Sequence, residues 1–185
     1  MSAVPTGLRS GHAATLAIIR TSSVPPQMPP ALDDHRYAHE LHAGERYAGV
    51  RFRITAEVNE QYAFALADYS TDYLATEGRR AVVHPVLLLH MSARTRSPSF
   101  RLAPGTGSVF ARDRVIFMRR AFVDEWLEVD WKIREVYQRR GRLYQVLETR
   151  VTTASGEPVI HRDAHSVFFT RGGEPLEVPA PPRTA

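Results

Sequence analysis

Asp68 and Tyr73 stand five residues apart, where a helix-compatible run gives way to a turn. A carboxylate in such a turn, if shielded from water, has a raised pKa and can take a proton as a general base. A phenol, with an ordinary pKa near ~10, is mostly a donor at neutral pH. Asp72 follows Asp68 by four residues, so paired carboxylates are conceivable. A solvated Asp at a helix start is the simpler account of it. His84 precedes Pro85 at the head of an apolar segment. The positive end of a helix favours a neutral imidazole there, able to donate a hydrogen bond to an oxyanion. The competing reading is purely structural: Asp68 caps a turn, Tyr73 fills core and His84 bonds to backbone.

Two further sets have the right residue types. His161, Asp163 and His165 alternate and share one strand face, which is a metal-ligating combination. No matching second set accompanies them, so a wet or subunit-facing surface is expected and no metal. Arg112, Arg114, Arg119 and Arg120 can bind phosphate oxygens, although strand arginines are more often only solvated. No Ser-His-Asp order, Gly-x-Ser-x-Gly elbow, phosphate loop or dinucleotide fingerprint is present.

The elements that must position these groups can be read from periodicity. Arg46–Ala56 alternates as a half-buried strand. Asn59 sits where an N-cap would, ahead of a helix over Glu60–Ala67. Ser70 is placed to cap a short helix, Thr71–Thr76, ended by Gly78. Pro85 suits the first turn of a helix that is apolar nearly all round and runs to about Arg96. Four strands follow: Ser108–Arg119, Glu125–Arg139, Arg142–Thr153 and Pro158–Thr170. Arg139-Arg140-Gly141 and Ala154-Ser155-Gly156 are hairpin signals. In the second of these strands Leu127, Val129, Trp131, Ile133, Glu135 and Tyr137 form one face. Such strands are longer than usual, as wrapping a helix requires. A buried helix, a Pro-Gly turn and long antiparallel strands outline an α+β hot-dog fold, a curved sheet around a central helix.

Composition narrows the class. The 185 residues fit one domain with a sizeable core. We expect residues 1–32 to be a disordered or arm-like segment, 33–178 a single domain and 179–185 a tail. Twenty-four basic residues oppose 20 acidic ones, for a net charge of +4. Only Lys132 among the basic residues is a lysine. The charge suits an anionic ligand, and no nucleic-acid motif supports that alternative partner. The chain has no Cys, which excludes a thiol nucleophile and a disulfide framework. No apolar run approaches the ~20 residues of a membrane span, and no signal peptide is visible. A cytoplasmic protein without membrane association is expected.

At three places the chain resembles the MaoC-like dehydratase and (R)-specific enoyl-CoA hydratase family of hot-dog proteins. Tyr62-Ala63-Phe64-Ala65-Leu66-Ala67-Asp68 resembles the family's helix leading to its catalytic Asp. Ala81-Val82-Val83-His84-Pro85-Val86-Leu87 resembles the Ile-Val-His-Gly-Met-Leu opening of the central helix. Pro104-Gly105-Thr106-Gly107 resembles the turn into the second strand. The family's Asp-x-Asn-Pro-x-His becomes Asp68-Tyr69-Ser70-Thr71-Asp72-Tyr73, so Tyr73 replaces the His. Pro85 replaces the Gly whose N–H polarises the thioester carbonyl, and Pro has none.

The resemblance implies addition or removal of water on an acyl thioester of coenzyme A or a carrier protein, without a cofactor. It makes Asp68 the base and Tyr73 the acid or orienting donor. Either His84 or the Val86 N–H becomes the carbonyl partner, and Arg112 and Arg114 become contacts for the carrier's phosphates. A specialised biosynthetic dehydratase or cyclase would fit the altered pair. So would a non-catalytic hot-dog subunit that binds the thioester and supports a catalytic partner. A homodimer or a hetero-oligomer with a related subunit is expected.

Overall fold

Five strands form one antiparallel sheet: β1 (Arg46–Phe52), β2 (Thr106–Phe117), β3 (Leu127–Arg139), β4 (Arg142–Thr153) and β5 (Pro158–Thr170). Their order is β1-β3-β4-β5-β2, which leaves β1 and β2 as edges. The computed structural model describes residues 36–179. The expected arm over residues 1–32, and all but the first residue of the expected tail, lie outside them.

The β3–β4 hairpin closes on Arg139 and Arg142 through Arg140 and Gly141, with φ of 53° and 68°. Two successive positive φ values match the right-handed twist of the flanking strands. On β3, Leu127, Val129, Trp131 and Ile133 are buried on the inner face. The expected continuation to Glu135 and Tyr137 fails. A bulge between Ile133 and Glu135 turns both to the outer face, where Tyr137 stacks on Tyr144 at 5.0 Å. Further bulges interrupt β1 against β3 and β2 against β5. Each one bends its strand and helps the sheet curve.

Helix α1 spans Ala56–Ala65, and its N-cap is Thr55, whose Oγ1 accepts from the Val58 N–H. It therefore starts four residues before the predicted position, with Asn59 inside it. The second predicted helix shrinks to a 3-10 turn, Thr71–Tyr73, capped by Ser70. Helix α2 spans Pro85–Met91. Its Leu87 and Leu88 belong to the main core with Trp131, Ile133 and Leu147 of the sheet. It stops short of Arg96. Trp131 Nε1 donates to the Ser92 carbonyl at 2.8 Å, an oxygen that a continuing helix would need for itself. A 3-10 turn, Arg94–Arg96, follows. Val86 on α2 is exposed, so the helix is not buried all round.

β2 hydrogen-bonds only to β5 among the described strands and exposes Val109, Phe110, Ile116, Phe117 and nearby Met118. Among the described residues no helix is long and apolar enough to cross a membrane.

Candidate functional site

Helix α1 delivers Asp68 through its own C-terminus. The Ala67 N–H donates to Phe64 O and the Asp68 N–H to Ala63 O, both at 2.9 Å, with Ala67 left-handed at φ 54°. This is the paired 5→2 and 6→1 termination of a helix, carried by Ala where Gly is usual. Asp68 Oδ1 then accepts from the Ser70 N–H at 3.1 Å, which fixes the carboxylate in the turn. Its side chain is 40% exposed, more open than the sequence suggested.

His84 is the N-cap of α2. Its Nδ1 accepts from the Val86 N–H at 3.2 Å. An accepting Nδ1 carries no proton, which assigns the neutral ring's hydrogen to Nε2. Nε2 lies 3.5 Å from Asp68 Oδ2, and the imidazole is only 6% exposed. The Tyr73 ring packs against one side of it with centroids 4.7 Å apart, and the Tyr62 ring lies 5.4 Å away. Tyr73 is half-buried, and its hydroxyl has no hydrogen bond to any described residue. Burial first, then the charges of Asp68 and Asp72, hold its phenol above the ordinary value, while Arg120 opposes them.

Asn59 ties these pieces together. It is fully buried. Its Nδ2 donates to the carbonyls of Tyr73 and Val82, both at 3.0 Å, and its Oδ1 accepts from the His84 N–H at 2.7 Å. Three of the amide's four hydrogen-bonding positions are thus used. One side chain on α1 thereby spans the 3-10 turn that carries Tyr73 and the strand-like approach to His84. Sequence reading took Asn59 for a cap. The signal available was a polar residue two turns ahead of Asp68 on a helix that must bury one face.

The structure brings Asp68, His84 and Tyr73 together, with His84 in the middle. Asp68 and Tyr73 nonetheless line different clefts. Tyr73, Asp72, Leu88, Phe117 and Arg120 line one of about 370 Å³. Asp68, Phe64, Tyr69 and Leu74 line another of about 380 Å³.

Two expectations concern the groups that would hold the thioester. The Val86 N–H donates to His84 Nδ1, and His84 Nε2 faces Asp68 Oδ2 at 3.5 Å. Arg112 and Arg114 pair across the ladder with His165 and Asp163, on the face opposite Asp113 and Arg162. Arg162 is buried on the inner face and holds Asp113 through three contacts of 2.5–3.1 Å. Alternation therefore sends Arg112 and Arg114 outward, away from α2 and His84.

No known family and no curated protein matches the chain at the level of sequence. Solved structures do. A MaoC-like dehydratase from Rhodospirillum rubrum is 18% identical, with TM-score 0.60 over 74% of this chain and 98% of that one. The C-terminally truncated HadBC (3R-hydroxyacyl-ACP dehydratase) complex from Mycobacterium tuberculosis is 18% identical, with TM-score 0.59 over 70% and 98%. The (R)-hydratase from A. caviae involved in PHA biosynthesis is 19% identical, with TM-score 0.54 over 70% and 98%. With its curved five-stranded sheet packed on a central helix, the chain has the hot-dog fold that these dehydratases and hydratases share.

Proposed function

We propose that this protein adds water to, or removes it from, an acyl thioester of coenzyme A or a carrier protein. The observation that carries the reading is the Asp68–His84 contact with the Tyr73 ring packed against the same imidazole. The hydratase and dehydratase activities of proteins with this fold support it. In the hydration direction the 2-enoyl group lies beside His84, between the cleft that Asp68 lines and the cleft that Tyr73 lines, and a water attacks C3 and gives its proton to the Asp68 carboxylate. Negative charge moves to the thioester oxygen, and Tyr73 then protonates C2; solvent carries the proton from Asp68 to the Tyr73 phenolate, which restores both groups. Removal of water runs the same steps backwards: solvent first passes the phenol proton to Asp68, the phenolate takes the proton from C2, and Asp68 gives its proton to the leaving hydroxyl. His84 does not touch substrate here. Its Nε2–H orients Asp68, and its Nδ1 caps the helix.

The open β2 edge, with its exposed apolar residues, suits a second hot-dog subunit. This reading places the protein in the cytoplasm, in a biosynthetic step, with residues 33–178 acting as one domain. A second reading is favoured by the occupied Val86 N–H and by Pro85: a non-catalytic subunit that binds the thioester beside a catalytic one.

Purified protein with crotonyl-type and 3-hydroxyacyl thioesters separates the two. Turnover by the chain alone, abolished in Asp68→Asn, supports the enzyme. Turnover that appears only when a second hot-dog subunit with an intact Asp/His pair is added supports the other reading.

A further inference from the structure

Water addition to an enoyl thioester needs a donor at the carbonyl oxygen, where charge develops. Of the two groups that sequence offered, the Val86 N–H donates to His84 Nδ1, and His84 Nε2 faces the Asp68 carboxylate at 3.5 Å. Four arginines flank the antiparallel Val82–Phe122 bridge: Arg79 and Arg80 precede Val82, and Arg119 and Arg120 precede Phe122 and line the Tyr73 cleft. Arg79 is held by Asp72 and the Thr71 carbonyl. Arg80 donates to Val123 O at 3.0 Å and lies over the Phe122 ring. Arg119 is clamped by Glu125 and Glu157.

Arg120 differs from all three. Among the described residues its guanidinium makes no hydrogen bond. Its one ionic contact is a long 3.7 Å approach to Asp72, whose charge Arg79 already meets at 3.4 Å. It is 70% exposed and lines the same cleft as the Tyr73 hydroxyl, which is equally unbonded. Arg120 also lowers the pKa of that phenol, which places its charge within reach of it. The cleft therefore holds two donors that make no hydrogen bond to any described residue, over an apolar floor of Val83, Leu88 and Phe117.

We infer that Arg120 is the carbonyl partner of this site, its guanidinium receiving the thioester oxygen beside Tyr73 as negative charge builds there. This rests on the hydratase reading. Arg120 leaves Asp72 to Arg79 and turns to the substrate, so no buried ion pair is broken. A planar guanidinium offers donors that are always charged, which suits an oxyanion better than a neutral N–H does.

The probe is a 3-arylacryloyl thioester of coenzyme A, whose absorbance moves to longer wavelength when its carbonyl is polarised. The wild-type protein should bind it with a long-wavelength shift. Arg120→Met should bind it but lose the shift, and kcat for enoyl thioesters should fall roughly ten- to hundredfold with KM little changed. Arg120→Lys should recover part of both. Because Arg120 is exposed and unbonded, the melting temperature of both variants should match the wild type. A wild-type shift and kcat that persist in Arg120→Met overturn the inference while leaving the hydratase reading intact. Absence of any thioester binding or turnover by the wild type overturns both.

Discussion

His84 Nε2 lies 3.5 Å from Asp68 Oδ2 while His84 Nδ1 caps the first turn of α2. One ring thus does two separable things. His84→Asn keeps a capping acceptor but is too short to reach Asp68. We expect its stability within about 1 kcal/mol of the wild type and its turnover strongly reduced. His84→Ala should also lose the cap, roughly 1 kcal/mol or slightly more. Thermal unfolding and kcat, measured side by side, check this. Equal activity in His84→Asn would remove His84 from the site.

Tyr73 should act as an acid that stays protonated across the neutral range. Burial and the nearby carboxylates raise its folded pKa above the ordinary value, so its proton is retained up to and beyond about pH 10. The alkaline limb of the pH–rate profile should therefore lie above that point. Tyr73→Phe should lower kcat by roughly 10²–10⁴-fold, as loss of a general acid does. A limb well below pH 10 that disappears in Tyr73→Phe would contradict the assignment.

The strands were legible because alternation and turn chemistry are local. Arg140-Gly141 fixes the β3–β4 register, and Leu127 through Ile133 alternate as a half-buried strand must. Glu135 and Tyr137 were misplaced because a bulge inserts one residue without leaving a mark in composition. The end of α1 just before Asp68 and the short Ser70-capped turn that carries Tyr73 were legible from local signals. The donor accounting was not, since whether the Val86 N–H is free depends on a rotamer of His84. Which face Arg112 and Arg114 take was not legible, because the bulge between Phe110 and Arg112 shifts which β2 residues point inward. The role of Asn59 depends on three partners 14 to 25 residues away, which no local pattern encodes.

Asn59→Leu keeps roughly the volume of the side chain and strands the Tyr73 and Val82 carbonyls and the His84 N–H. A buried group left without its partner costs about 1–3 kcal/mol, so an overall loss of roughly 2–4 kcal/mol is expected. Denaturant unfolding measures it. A loss below about 1 kcal/mol would mean that these groups find other partners or water.

Ala67 carries a left-handed backbone at φ 54° directly before Asp68. A side chain there costs about 1 kcal/mol or slightly more relative to glycine, which has no Cβ to clash with the following carbonyl. Ala67→Gly should therefore stabilise the protein by roughly 0.5–1 kcal/mol, with part of the gain returned to the more flexible unfolded chain. Unfolding midpoints test the sign. A destabilised Ala67→Gly would show that α1 does not end in the left-handed turn that aims Asp68.

Tyr47 sets a pH dependence that has nothing to do with the site. It is buried, with its hydroxyl 3.5 Å from Gln145 Oε1, and its pKa is pushed up to about 12. Burial is the main cause, Arg94 pulls the other way and Glu45 adds to it. In the unfolded chain the phenol titrates near ~10. A raised folded pKa contributes stability that is fully present below about pH 10 and is lost as pH rises through about 12. Two units correspond to about 2–3 kcal/mol at most. Stability should fall across that window in the wild type and fall less in Tyr47→Phe, which has no proton to lose there. If Tyr47→Phe shows the full wild-type slope, the phenol inside the core is not what limits the fold at high pH.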